Sequence, residues 1–340
     1  MNWSKAFTIA NRAIGEGAAV FIIAEAGVAH FGSLKKAFKL VDLAVEAGAD
    51  AVKFQIFRTS ELISSLSPEW RKRMEPKELS AKDFREIKQY CRTRGILFLA
   101  TAHDESSLRE LDDLDVPAYK IGSGEVKNWP FLAKIAGRGK PVILSTGMYT
   151  LEDISQALEV IAQTGNPDLA VLQCVTAYPT PPAEVNLLAI KTIRETFDVV
   201  TGYSDHTEGY HFPLAAVVLG AKIIEKHISL DFNVPNAQDW KVSCGPNDLH
   251  LLIDQIREIE SGFGTGVKEP GATERHSLAW ARKSLVAACN IFPGEAVTSE
   301  KVKFKRPGTG ITPSDVEGVL GRRARVEIKR DSLILWEHLE

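Results

Sequence analysis

Apolar runs of five to seven residues recur along the chain from Phe21 onward, and between them lie segments whose apolar positions repeat every three to four residues. The runs are FIIAEAG from Phe21, AVKFQIF from Ala51, ILFLATA from Ile96, AYKIGSG from Ala118, PVILSTG from Pro141, LAVLQCV from Leu169, VVTGYSD from Val199 and KIIEKHI from Lys222. Each has the length of a strand and is apolar at nearly every position, the pattern of strands buried on both faces. Eight of them alternating with helices predict an α/β fold, a (β/α)8 TIM barrel. A doubly wound open sheet is the alternative, but such sheets seldom need eight regular units.

Beyond the eighth run the pattern changes. A proline-containing loop over 233–247 leads into a helical pattern over 248–260, and 261–282 is rich in Gly and polar residues and reads as a linker. From 283 to 340 helical periodicity is weak, short strands dominate, and a Pro-Gly turn falls at Pro293. The organisation expected is a barrel over 1–260, a linker, and a small β-rich domain over 283–340.

Polar residues cluster at the C-terminal ends of these runs. There stand Glu25, Lys53 with Gln55, Thr101, Lys120 with Ser123 and Glu125, Ser145, Thr176 with Tyr178, Ser204 with His206, and Glu225 with His227. In a barrel of parallel strands these ends share one mouth, where the active sites of this fold are built. A single serine there reads most simply as a solvated loop residue, whereas ionisable groups at most strand ends do not. Lys53 and Lys120, with the hydroxyls of Thr101, Ser123, Ser145 and Ser204 and the turns GSGE and STGM, make a cradle for a phosphate. Neither GxGxxG nor GxxxxGKS occurs, which argues against a dinucleotide or a P-loop nucleotide.

His206 and His227 end two successive strands, so the strand-helix-strand unit brings them to the same side of the sheet. Two neutral imidazoles suit a divalent cation such as Mn, Zn or Fe and leave positions open for substrate. Glu25, Glu125, Glu225 and Asp239 supply acid/base candidates around it. Composition narrows the partners rather than the fold. A net charge of -3 without a long basic run gives no footprint for nucleic acid. Four widely spaced cysteines read as reduced thiols, and no apolar run is long enough to span a bilayer or form a signal-peptide core, so a cytoplasmic protein is expected.

The motifs AEAGVAHFGS, AGADAVKFQ, AYKIGSGE, ILSTGM, CVTAYPTPP, GYSDHT, IEKH and KRPGTGI carry a resemblance to the N-acetylneuraminate (sialic acid) synthase family, which joins a TIM barrel to a C-terminal antifreeze-like, or SAF, domain. The resemblance covers nearly the whole chain. It implies condensation of phosphoenolpyruvate with the open-chain aldehyde of an N-acylhexosamine, N-acetylmannosamine or a related sugar, giving a nine-carbon 2-keto-3-deoxy acid and phosphate. By position it implies that Lys53, Thr101, Lys120, Ser123, Ser145 and Ser204 bind phosphoenolpyruvate. Glu25, Glu225 and Asp239 would orient water or move protons, Tyr178 and Glu125 would line the acceptor side, and Mn2+ or Mg2+ would sit on His206 and His227. Gln55 and Thr176 complete the substrate-binding set. Arg306 of KRPG, which composition alone assigns to a solvated surface, would reach the barrel of a partner subunit in a domain-swapped homodimer.

The departures from the family pattern are expected to concern the acceptor. Ala29-His30 stands where Asn-His is usual, Ala237-Gln238-Asp239-Trp240 where Gly-Pro-Asp-His is common, and Ala102-His103 where Pro-Phe is usual; the 58–79 loop is short. All are expected on the barrel mouth, with the donor side intact. Condensation with a non-hexosamine aldehyde is the second enzymatic reading, favoured by the Ala-Gln-Asp-Trp stretch, and a non-catalytic sugar-binding protein is the third.

Overall fold

The computed structural model describes residues 2–234, 237 and 239–340. Pro235 of the predicted loop and Gln238 of the Ala-Gln-Asp-Trp stretch lie outside the described residues. An antiparallel hairpin, β1 (Ala6–Ile9) and β2 (Arg12–Gly15), opens the chain. It is followed by β3 (Phe21–Gly27), β4 (Ala51–Ile56), β5 (Leu97–Ala102), β6 (Tyr119–Ile121), β7 (Val142–Ser145), β8 (Leu169–Cys174), β9 (Val200–Asp205) and β10 (Ile223–His227). These eight close in the order β10-β3-β4-β5-β6-β7-β8-β9, every neighbour parallel. Each lies inside the run predicted for it. The fold is the expected (β/α)8 barrel, and closure rules out the open sheet.

Strand alternation divides the burial in two. Ile22, Ala24, Val52 and Phe54 face outward into the packing with the helices, while Phe21, Ile23, Ala51, Leu99, Ile143 and Leu172 face inward. Local chemistry sets the helix boundaries. Ser80 and Asp83 form a reciprocal capping box at the start of the helix Ala81–Arg94, which stops at Gly95 in the left-handed region.

No element was expected before Phe21, yet the hairpin is there. Its strands are four residues each, too short for periodicity to register. Phe7, Ile9 and Ile14 join the inward-facing residues at the N-terminal end of the barrel, so the hairpin closes that end with apolar side chains.

The chain divides into two compact units, Met1–Phe263 and Gly264–Glu340. Over the stretch read as a linker, the helix Pro246–Gly262 runs on, and two short helices, Ala272–Arg275 and Ser277–Ala281, follow in the second unit. That unit pairs β11 (Ser284–Ala287) with β12 (Val302–Lys305) in antiparallel register. Isolated bridges such as Ile291–Ile328 and Ala324–Leu339 tie its loops around a core of Leu285, Ile291, Val297, Ile328 and Ile334. Among the described residues no helix is long and apolar enough to cross a membrane.

Candidate active site

Two residues beyond the apolar inward layer, the same strands turn ionisable. Parallel register sets Glu25 of β3 beside Lys53 of β4 on one side and His227 of β10 on the other, and Ser204 of β9 beside Glu225 of β10. Lys53 Nζ lies 2.7 Å from Glu25 Oε2 and 3.8 Å from Glu225 Oε2, and donates to Thr101 Oγ1 at 3.1 Å. Lys120 Nζ stands 3.2 Å from Glu225 Oε1, which also accepts from Ser204 Oγ at 2.9 Å. Gln55 Nε2 donates to Glu25 Oε1 at 3.1 Å. All of these side chains except Gln55 are buried, and the buried Ser145 hydroxyl has no hydrogen-bond partner among the described residues.

Burial and charge drive the two glutamates apart. Burial raises Glu25 above the ordinary carboxylate range in spite of Lys53. Burial would raise Glu225 too, but Lys120, Lys53 and the Ser204 hydroxyl overcome it and hold the carboxyl down to about 2. Two neighbouring carboxylates with opposed shifts can divide the work, one carrying a proton and the other a fixed charge. Burial lowers Lys120, whereas at Lys53 the effect of burial is overcome by Glu225 and Glu25, which raise it.

The two strand-end histidines meet, their ring centroids 5.2 Å apart. His206 Nδ1 lies 2.6 Å from the Val175 carbonyl, which fixes a proton on Nδ1 and leaves Nε2 as the lone-pair nitrogen. The Tyr178 hydroxyl donates to that Nε2 at 3.0 Å, and its ring lies tilted against the imidazole with centroids 4.1 Å apart. Burial, with His206 beside it, pushes His227 well down and keeps it neutral. This donor set fits a divalent cation: a backbone carbonyl orients one ring, and the second ring is held unprotonated. Among the described residues no three or more His, Cys, Asp or Glu side chains form a ready-made cage, so further ligands would be water or substrate.

Behind the pair lies an ion pair that sequence reading missed. Lys226 Nζ donates to Asp205 Oδ2 at 2.5 Å and to the Thr207 carbonyl at 2.8 Å, and Asp205 Oδ1 accepts from Tyr203, Thr207 Oγ1 and the Thr207 amide. Both side chains are fully buried and face away from the barrel axis, so the pair pins the ends of β9 and β10 and with them the two histidines. Charges at the alternate positions of GYSDHT and IEKH were its visible signal.

A cleft of about 480 Å³ opens beside the histidines. Gln55, Tyr178 and His227 form its barrel side, and Trp70, Lys77 and Asp239 its outer wall. Burial raises Asp239 although Lys77 opposes it. Trp70 and Lys77 come from the 58–79 segment, which holds the short helices Thr59–Leu62 and Pro68–Met74 and was read only as a loop. Ser123 and Thr176 flank Gly147, whose amide donates to Ser123 Oγ at 2.9 Å; a Cβ there would lie 2.2 Å from Thr176 Oγ1, so the approach requires glycine. Glu125 accepts from Asn128 at 2.6 Å, is raised by burial, and is not among the residues lining the cleft. Arg306 belongs to the second unit, its guanidinium 5.6 Å from the centroid of the Trp280 ring.

Two of the departures are corrected. Ala29 lines the cleft, but His30 turns to the other side of the chain, fully buried against Phe54 with Nδ1 accepting from the Gly32 amide at 3.1 Å. His103 does not face the acceptor cleft; it packs by Gly122 and Thr101, towards Lys53 and Lys120.

Known proteins place the whole assembly. The NeuB family model matches residues 40–268 and the SAF domain model residues 282–340. N,N'-diacetyllegionaminic acid synthase of Campylobacter jejuni is 40% identical, covering 92% of this chain and 98% of that one. Human N-acetylneuraminate-9-phosphate synthase is 33% identical, covering 93% and 92%. The crystal structure of N-acetylneuraminic acid (sialic acid) synthetase from Leptospira borgpetersenii serovar Hardjo-bovis, in complex with citrate, matches with a TM-score of 0.76 and 35% identity over 82% of this chain and 96% of that one. The chain therefore belongs to the NeuB family of nonulosonic acid synthases, a (β/α)8 barrel enzyme with a C-terminal SAF domain.

Proposed function

We propose that the protein joins phosphoenolpyruvate to the open-chain aldehyde of an N-acylhexosamine, releasing phosphate and a nine-carbon 2-keto-3-deoxy acid. The observation that carries this reading is the buried quartet Glu25, Lys53, Lys120 and Glu225 beneath a histidine pair. A quartet of this kind costs desolvation and contributes little to the stability of a barrel, so its use lies in receiving a charged ligand.

In the reaction, C3 of phosphoenolpyruvate bonds to the aldehyde carbon, water adds at C2, and the C2–O bond breaks as phosphate leaves. Lys53 and Lys120, with the hydroxyls of Thr101, Ser123, Ser145 and Ser204, hold the phosphate and carboxylate of the donor. The unpartnered Ser145 hydroxyl is a donor already in place for an incoming oxyanion. Glu25, raised by burial, carries a proton between water and substrate, while Glu225 stays ionised and keeps both lysines charged. Asp239 and Gln55 face the acceptor cleft and orient the sugar hydroxyls. His206 and His227 would hold Mn2+ or Mg2+, which when bound supplies Lewis-acid polarisation of the aldehyde oxygen. Entry of Arg306 from a second copy, in a domain-swapped homodimer, belongs to the same reading and is supported by the KRPGTGI resemblance.

Among acylated hexosamines, the 2,4-diacetamido sugars have the strongest support, because the Campylobacter N,N'-diacetyllegionaminic acid synthase is more similar to this chain than the human N-acetylneuraminate-9-phosphate synthase. The test is phosphate release from phosphoenolpyruvate with Mn2+ across N-acetylmannosamine, its 6-phosphate, 2,4-diacetamido hexoses and simple aldoses, products read by mass spectrometry. A nine-carbon keto acid from an acylated hexosamine is expected. Release with a simple aldose alone would replace this reading by the non-hexosamine one.

A further inference from the structure

We infer that His103 is a further ligand of the donor phosphate, taking up a proton as the dianion enters and returning it when phosphate departs. The inference rests on the donor pocket proposed above. His103 stands two residues beyond Thr101, so strand alternation carries it to the inward side just past the end of β5. Its Cε1 lies 3.7 Å from the point a Cβ on Gly122 would occupy, and Thr101 Cγ2 lies 3.8 Å from the same point. Gly122 opens the turn that bears Ser123. The imidazole therefore stands beside Gly122, the residue before Ser123, on the side of that glycine where Thr101 also lies.

Charge balance gives it a task. Lys53 and Lys120 are offset by ionised Glu225, and by Glu25 as well once it has given up its proton, which leaves at most one net positive charge for a phosphate dianion. A base that is neutral in the empty pocket and able to gain a proton supplies a further one. Burial, together with Lys53 and Lys120, pushes His103 down to about 4, against the opposing pull of Asp104. An incoming dianion reverses the lysines' repulsion and raises the imidazole.

The neighbouring groups leave that role open. Asp104 is spent on the Arg58 amide and on Ser106 and Ser107, at 2.7 to 2.8 Å. On its outer side His103 lines a groove of about 500 Å³, shared with Glu61, Glu105, Arg109, Asn128 and Lys134, where Glu105 and Lys134 pair with each other. The groove gives the ring a route for proton exchange with water.

The test is calorimetric titration of the full chain with phosphoenolpyruvate, repeated in buffers of different ionisation enthalpy near about pH 7, on the wild type, His103→Phe and His103→Gln. Phenylalanine has the size the pocket must accommodate, and thermal melting checks that each variant folds. The expected result is greater proton uptake by the wild type than by either variant, with binding weakened about tenfold in His103→Phe, the loss of one charge-assisted hydrogen bond. The comparison cancels proton exchange by the ligand's own phosphate. Equal uptake and equal affinity in all three proteins would overturn the inference while leaving the donor pocket intact. Failure of the wild type to bind phosphoenolpyruvate would instead overturn the donor pocket itself, and His103's role with it.

Discussion

The barrel interior has two halves built on the same strands, and they are opposites. At the N-terminal end, Phe21, Ile23, Ala51, Leu99, Ile143 and Ile223 pack with the hairpin residues Phe7, Ile9 and Ile14 into an apolar plug. Two residues further along, the inward positions are Glu25, Lys53, Thr101, Ser145 and Glu225. The lower half gains stability from burial at about 25 cal/mol per Å² of apolar surface. In the upper half burial opposes every charge, and mutual pairing is what keeps the charges inside. One half holds the barrel together so that the other can keep charges poised for a ligand.

The largest break in this comparison comes from the upper half. Lys120→Met removes the cation nearest Glu225 and a proposed contact to the donor, and phosphate release is expected to fall by about 10³-fold. Pairing it with Glu225→Gln removes both charges, and the double variant should remain inactive yet melt close to the wild type, because a buried ion pair exchanged for neutral groups costs little. Lys120→Met with more than about a tenth of wild-type turnover would show that the quartet is structural. The lower half should answer the other way. Ile143→Ala opens a cavity in the plug and is expected to destabilise the barrel by about 3 kcal/mol, read as a lower denaturant midpoint, while the KM for phosphoenolpyruvate stays unchanged. A shifted KM with an unshifted midpoint would mean that the two halves are not separate.

The difference between the halves also governs what was legible in the sequence. Doubly buried strands announce themselves as continuous apolar runs, so all eight were visible, and their polar ends pointed to the mouth. Pairing inside the mouth was not visible, because it depends on register: nothing in the order Glu25, Lys53, Glu225 says that Lys53 lies between two carboxylates. The Asp205–Lys226 pair escaped for a related reason, since alternation sends it outward and buried ions there look like surface charges until the helices cover them. His30 was misplaced because it follows a strand end where the turn, not alternation, fixes direction; His103 keeps the inward direction of β5 but lies by Gly122 on the donor side of the mouth rather than on the acceptor cleft. The hairpin was too short to carry a period, and its role became apparent only when three apolar side chains closed the barrel floor.

The smallest expected effect sharpens the comparison most finely. Side chains of the lower half keep their partners permanently, whereas those of the upper half must surrender some to a ligand. Tyr178 is the clearest case: its hydroxyl satisfies His206 Nε2 at 3.0 Å, the same lone pair that the proposed cation would need. Tyr178→Phe keeps the ring that packs against His206 and deletes only the hydroxyl. Binding of Mn2+ to the variant then no longer has to displace a hydrogen bond of about 1 kcal/mol, and affinity should rise about fivefold. Competition with a chelator of known strength reads this directly on the full chain, without turnover. Weaker binding would show that the hydroxyl supports the occupied site rather than guarding the empty one, making Tyr178 as permanent a partner as any residue of the plug.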